Sequence, residues 1–211
     1  MDHTYRGAAL DFDAGGIDPM SATLAAFADR LRLENHTLKR SLTDPHLFSG
    51  IGNAYSDEIL FDAKLSPLRL TSKLTDEEVA RLRTSTQKIL RSWSEKLAEE
   101  TPGFPVKVTA FREDFTVHGR YGKPCRVCSR PVMRIAYAEN EANYCAQCQN
   151  EGRLLADRAL SRLMKSDFPR TLEDLEAKKA QARAVFSGSE PAPVTEPKSA
   201  KPRRAKKKPT P

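Results

Sequence analysis

Gly50-Ile51-Gly52-Asn53-Ala54-Tyr55-Ser56-Asp57-Glu58-Ile59-Leu60 reads as a turn running into a helix, and the rest of the chain is read outward from it. Two glycines frame one β-branched residue. Glycine permits backbone angles closed to other residues and lets another backbone come close. Asn53 reads as the helix N-cap, with the acid Asp57 in the first turns. A helix start of this kind points free N–H groups outward, and a phosphate is a natural partner for them. Ile59, Leu60 and Ala63 continue as an apolar face at helical spacing. Taken alone, a glycine-framed turn before a helix is common and fixes no function.

The flanks add helices on both sides. Met1 to Pro19 reads as a loose lead-in, and Asp18-Pro19-Met20-Ser21 as a helix start. Leu24, Phe27, Ala28 and Leu31 follow at helical spacing, and Lys39-Arg40-Ser41-Leu42-Thr43-Asp44 closes another helix before the turn. Downstream, Leu65-Ser66-Pro67-Leu68-Arg69 leads to Leu74-Thr75-Asp76-Glu77-Glu78. There Thr75 is the N-cap and Glu78 completes a capping box. Val79, Leu82, Ile89, Leu90, Trp93 and Leu97 form the buried stripe of a long helix, with Trp93 as a core residue on that stripe. Thr101-Pro102-Gly103-Phe104-Pro105 breaks it.

The chain of 211 residues carries a net charge of +7, which favours nucleic acid or another anionic surface as partner. Its hydrophobic share of 39 % is enough for one or two small cores. No stretch is long and apolar enough to cross a membrane, and Met1-Asp2-His3-Thr4-Tyr5 lacks the regions of a signal peptide. The expected compartment is the cytoplasm, where clustered cysteines read as metal ligands before disulfides.

The four cysteines form two pairs, Cys125-Arg-Val-Cys128 and Cys145-Ala-Gln-Cys148, separated by sixteen residues. Each pair puts two thiolates on one knuckle. The intervening segment reads as a hairpin, strands Arg134 to Ala138 and Ala142 to Tyr144 turned at Glu139-Asn140-Glu141. Four sulfurs around one Zn²⁺ make a closed, tetrahedral, structural site, with no position left open for catalysis. His118 reads as a polar hairpin residue, and His3, His36 and His46 lack ligand spacing. After Cys148, Leu154, Leu155, Ala159, Leu160 and Leu163 give a helical pattern that Pro169 interrupts. Leu172 and Leu175 start a charged helix to about Phe186. From Ser187 onward the composition cannot bury enough apolar surface to fold. Its basic run, Lys198, Lys201, Arg203, Arg204, Lys206, Lys207 and Lys208, reads as a phosphate tether or as a solubilising end.

Leu38 to Leu82, with Gly50-Ile51-Gly52-Asn53 intact, resembles the helix–two-turn–helix of the formamidopyrimidine-DNA glycosylase (Fpg) and endonuclease VIII family. Val117 to Cys128 and Asn143-Tyr144-Cys145-Ala146-Gln147-Cys148-Gln149 resemble the zinc finger of the same family, in its order and at its separation. Residue patterns and resemblance together give an expected fold that is mainly α: a helix–two-turn–helix helical domain and a small zinc-finger β-hairpin from the resemblance, then a helical extension and a disordered basic tail from periodicity and composition. The expected boundaries are 1–17 for the lead-in, 18–114 for the helical DNA-binding domain and 115–150 for the four-cysteine zinc finger. The extension follows over 151–186 and the tail over 187–211.

Members of that family are bifunctional DNA glycosylase/AP lyases that flip a damaged base, commonly an oxidised purine, out of the duplex. A proline after the initiator methionine attacks the sugar and the glutamate that follows it assists, both on an N-terminal β-rich domain. Here Asp2 and His3 follow Met1, the short lead-in is too small for a β-sandwich, and no catalytic residue is assigned. The resemblance carries DNA contact to Gly52 and Asn53, the phosphate-binding turn, and to Lys39, near the damaged nucleotide. It carries one structural Zn²⁺ to Cys125, Cys128, Cys145 and Cys148. Asn140 stands where the family often has a phosphate-gripping arginine at the hairpin tip. Arg120, Arg126 and Arg134 are candidate substitutes, with a solvated surface role as the alternative.

The expected function is the DNA-binding part of a base-excision-repair glycosylase/AP lyase of the Fpg type, acting on oxidised purines and abasic sites. The alternative is a non-catalytic, zinc-dependent DNA-binding or regulatory protein. The expected partner is damaged double-stranded DNA, bound by a monomer associated with the nucleoid and with no membrane contact.

Overall fold

The computed structural model describes residues 13–101, 112–137, 140–156 and 158–186. These form α1 (Leu24–Arg32), α2 (Leu38–Thr43), α3 (Asn53–Asp62) and α4 (Asp76–Glu100). A hairpin of β1 (Val132–Ala136) and β2 (Glu141–Cys145) follows, then α5 (Ala146–Asn150), α6 (Arg158–Met164) and α7 (Leu172–Phe186). The fold is mainly α, with one two-stranded sheet among the described residues. None of the described helices is long and apolar enough to cross a membrane. The basic tail, the break at 102–105 and hairpin residues Ala138 and Glu139 lie outside the described residues.

Helix α1 starts later than the Asp18-Pro19 signal implies. Pro19 to Ser21 form a turn, and Thr23 is the cap, its hydroxyl accepting from the Ala26 amide at 3.2 Å. Phe27 and Leu31, four residues apart, are fully buried, whereas Leu24 is exposed because it faces away from that stripe. The end of the expected loose lead-in is docked. The Ile17 amide donates to Leu47 O at 3.1 Å and Ser49 N donates to Ile17 O at 2.9 Å. Gly16 lies so close to Pro45 that an added Cβ would stand 2.3 Å from its carbonyl oxygen.

Helix α4 begins with the capping box: Glu78 N donates to Thr75 Oγ1 at 3.2 Å and Thr75 N to Glu78 Oε2 at 3.0 Å. Its stripe is buried only in the first half, through Val79 and Leu82, which join Phe27, Leu31, Leu38, Leu42, Ile59 and Leu60 in the main core. Ile89 and Leu90 pack at the margin. Trp93 is half-buried rather than core, because it lies level with the first turn of α3, beyond the main core. It meets the rings of Tyr55 and Phe115 with centroids at 5.8 and 4.7 Å, and Lys96 and Arg112 lie over it.

The hairpin pairs Val132 with Cys145 and Ala136 with Glu141, so β1 begins and ends two residues earlier than read from sequence and β2 is one residue longer at each end. A second small core forms from Ile135, Ala142, Tyr144, Ala146 and Leu172, with Leu154 and Leu155 against it. Leu154 and Leu155 therefore precede α6 as packing residues instead of starting it.

Two acids on α3 attach this unit to the helices. Glu58, 3 % exposed, accepts from three successive backbone amides, Thr116 at 2.8 Å, Val117 at 2.9 Å and His118 at 3.0 Å. Asp57, 1 % exposed, accepts from Lys39 Nζ at 2.6 Å, His118 Nδ1 at 2.8 Å and the Asn143 amide at 3.1 Å. A carboxylate only accepts, so His118 carries its proton on Nδ1. His118 is thus a buried tie and not a free hairpin residue. Glu58→Ala leaves three buried amides unpaired, and about 1 kcal/mol or more for each predicts a loss of about 3 kcal/mol. Chemical denaturation checks this, with exposed Glu95→Ala on α4 expected to leave the midpoint unchanged.

Candidate functional site

The glycine turn uses its residues differently from the sequence reading. Gly50 has φ +76°, a left-handed angle at which a side chain is strained. Gly52 has φ −90° and ψ −179°, extended backbone, and it is the N-cap; Asn53 is the first helical residue. The one-residue shift frees the Asn53 side chain from capping, and its Nδ2 donates instead to Glu141 O of β2 at 3.1 Å. An amide nitrogen has two donors, so one remains. No acceptor among the described residues takes the amides of Asn53, Ala54 or Tyr55, and Gly52 offers no side-chain cap. A Cβ at Gly52 would meet nothing within 4 Å. Inside the protein nothing demands glycine there; the open space lies over an exposed helix start.

This helix start faces a cleft of about 500 Å³ lined by Thr37, Lys39, Arg40, Thr43, Ile51, Gly52, Asn53, Tyr137 and Asn140. Helix α2 and the turn form one side, and the hairpin tip the other. Lys39 borders the cleft, but its ammonium is 2.6 Å from Asn53 O, 2.8 Å from Ser56 Oγ and 2.6 Å from Asp57 Oδ1. Burial pushes its pKa below the ordinary value, opposed by the Asp57 charge and hydrogen bond. Lys39 therefore holds the turn from behind, where the family resemblance implies a lysine near the damaged nucleotide. The candidate substitute arginines are engaged within the protein. Arg120 donates to Pro124 O and Arg126 to Glu113 O. Arg134 lies 4.5 Å over the Tyr121 ring and 3.3 Å from Glu141.

The cysteines converge at the opposite end of the hairpin from its tip. All four sulfurs lie within 4.8 Å of one another, with Cys128 to Cys145 at 3.4 Å and Cys125 to Cys148 at 4.0 Å. Four sulfurs about 2.3 Å from a central ion form a tetrahedron with edges of about 3.8 Å, which these separations bracket. The first knuckle is closed by Ser129 N to Cys125 O at 2.9 Å and Cys125 N to Arg130 O at 2.8 Å, with Ser129 at φ +61°. The second is closed by α5 and a left-handed Glu151. Gln149, between the two units, accepts from Cys145 N at 2.8 Å and donates to Leu65 O at 2.9 Å. As free thiols, Cys128, Cys145 and Cys148 are shifted in opposite senses. Burial pushes Cys145 up to about 11 and also raises Cys148. At Cys128 burial acts in the same sense, but the Arg130 amide and neighbouring sulfurs outweigh it and hold the group below its usual range. Four partly buried sulfurs of this arrangement fit a soft divalent metal.

Comparison with known proteins identifies relatives of the chain. The model of the formamidopyrimidine-DNA glycosylase H2TH domain matches residues 16–99. An uncharacterised formamidopyrimidine-DNA glycosylase-like protein of Mycobacterium tuberculosis is 34 % identical over 150 residues, 71 % of this chain and 94 % of that relative. The formamidopyrimidine-DNA glycosylase of Thermus thermophilus is 35 % identical over 147 residues, 65 % of this chain and 54 % of that enzyme. The crystal structure of the Thermus thermophilus MutM (Fpg) protein superposes with TM-score 0.56 at 33 % identity, covering 71 % of this chain and 59 % of that one. Lactococcus lactis Fpg, solved with abasic-site DNA, superposes with TM-score 0.57 over 70 % of this chain and 56 % of its own; at 24 % identity it speaks to the fold alone. The chain spans nearly all of the first relative and about half of the glycosylases.

The cysteine geometry predicts about one metal ion per chain in the purified protein, read by elemental analysis. Cys128→Ser or Cys145→Ser is expected to bring that near zero and to expose the hairpin to proteolysis, because so small a core folds on its metal.

Proposed function

This chain belongs to the formamidopyrimidine-DNA glycosylase family, and on that premise we propose that it grips damaged duplex DNA through phosphates, as the DNA-binding part of an Fpg-type glycosylase/AP lyase acting on oxidised purines and abasic sites. The observation that carries the reading is the uncapped start of α3, where three amides lack an acceptor among the described residues and Gly52 and Asn53 border a cleft faced by the hairpin. Backbone amides at a helix start favour an anion by hydrogen bonding and by the helix dipole together. Gly52 leaves the approach clear, Asn53 keeps one side-chain donor for the phosphate, and Lys39 stands behind them. Such contacts position a protein on DNA and read no sequence.

Cys125, Cys128, Cys145 and Cys148 hold one Zn²⁺ in this reading. Zinc with four thiolates supplies folding free energy and no reaction chemistry. The residues of the chain do the rest. Glu58 and Asp57 fix the hairpin against α3, so that its tip and the turn keep a set separation. The protein acts as a monomer at the nucleoid.

A second reading is a non-catalytic, zinc-dependent DNA-binding or regulatory protein. Borohydride trapping on an abasic duplex separates the two. A covalent adduct with this chain rules out the second reading, and no adduct rules out lyase chemistry by this chain alone. Both readings predict a gel shift of an abasic-site duplex that is lost after chelation and restored by Zn²⁺. Binding that is unchanged by chelation would contradict both.

A further inference from the structure

The cleft beside α3 has two cations on its lining, and only one is available to a ligand. Lys39 is held by Asn53, Ser56 and Asp57. Its neighbour Arg40 is exposed, lines the same cleft, and its guanidinium has no partner among the described residues. Resting on the DNA-binding reading above, we infer that Arg40 is the phosphate-gripping cation of this cleft.

The placement is rigid where it needs to be. Leu38 and Leu42 on α2 are fully buried, and the helix is pinned by Leu38 N to Arg69 O at 2.8 Å and Lys39 N to Pro67 O at 3.1 Å. Arg40 therefore projects from a fixed base, and only its own side chain must order on binding. Thr37 lies three residues earlier, on the same side of the helix, and lines the cleft too. Its hydroxyl makes no cap hydrogen bond. Together they present a fork of guanidinium donors and one hydroxyl. A planar guanidinium binds two phosphate oxygens at once, which a lysine ammonium does not. Across the cleft, the described lining residues of the hairpin, Asn140 and half-exposed Tyr137, carry no charge. A backbone phosphate entering the cleft thus meets amides from α3 at one point and Arg40 at another. Two anchoring points on one strand fix its direction across the turn.

The experiment measures affinity of the zinc-loaded full chain for a duplex bearing a tetrahydrofuran abasic analogue, by fluorescence anisotropy at several KCl concentrations. Arg40→Gln is expected to weaken binding about tenfold, the loss of one charge-assisted contact. The slope of log affinity against log salt should fall by about one. Arg40→Lys should keep the slope, because the charge stays, and lose part of the affinity. Arg91→Gln removes an exposed charge on α4 outside the cleft and should leave both unchanged. Wild-type affinity and slope in Arg40→Gln would overturn the inference and leave the DNA-binding reading intact. So would Arg91→Gln matching Arg40→Gln, which would reduce the effect to bulk charge, or a lost slope in Arg40→Lys. A wild-type chain that binds no duplex would overturn the DNA-binding reading as well.

Discussion

Two adjacent carboxylates on α3 join the two halves of the described structure. Asp57 and Glu58 are nearly without solvent, and an isolated charge there would be strongly unfavourable. Both are fully supplied with donors instead. Glu58 closes a nest of three amides from 116–118, and Asp57 gathers Lys39, His118 and the Asn143 amide. Breaking one side of a buried pair such as Lys39–Asp57 typically costs about 3–5 kcal/mol, because the other charge is left without a partner. The hydrogen bonds are directional, so they set the orientation of the hairpin as well as its attachment.

The same network explains how the cleft acquires its chemistry. Drawing the Lys39 ammonium inward onto Asp57 and the Asn53 carbonyl holds the first turn of α3 in place, while its amides find no acceptor among the described residues. The neighbouring position on α2 then faces the cleft with its charge unspent. Helix α2 thus holds one cation inside the fold and exposes the next across one peptide bond.

The hairpin depends on a different balance. Its core is small, and the third apolar cluster consists of Val117, Val132, Cys125 and Cys145, so the sulfurs are themselves part of the packing. Burial opposes thiolates at Cys145 and Cys148, and a divalent ion reverses that opposition by supplying the missing charge. Gln149 carries the constraint onward, bonding the Cys145 amide on one side and the Leu65 carbonyl on the other.

The sequence by itself determined what depends on neighbours along the chain. The capping box at Thr75–Glu78, the Phe27–Leu31 spacing, the left-handed Gly50 and the two Cys-x-x-Cys knuckles are all local patterns, set by hydrogen-bond reach and helical period. Membership of the family was legible for the same reason, since its two motifs are short and dense. The tertiary structure decided whatever pairs distant residues. No local rule says that Asp57 meets Asn143 or that Glu58 meets His118, some sixty to ninety positions away. Nor does any local rule say that Lys39 is consumed inside while Arg40 is left outside, that Trp93 sits half-buried at an aromatic corner, or that Ile17 docks on Leu47. Charge in a sequence shows that a partner is needed; only the folded chain shows whether that partner is already within it.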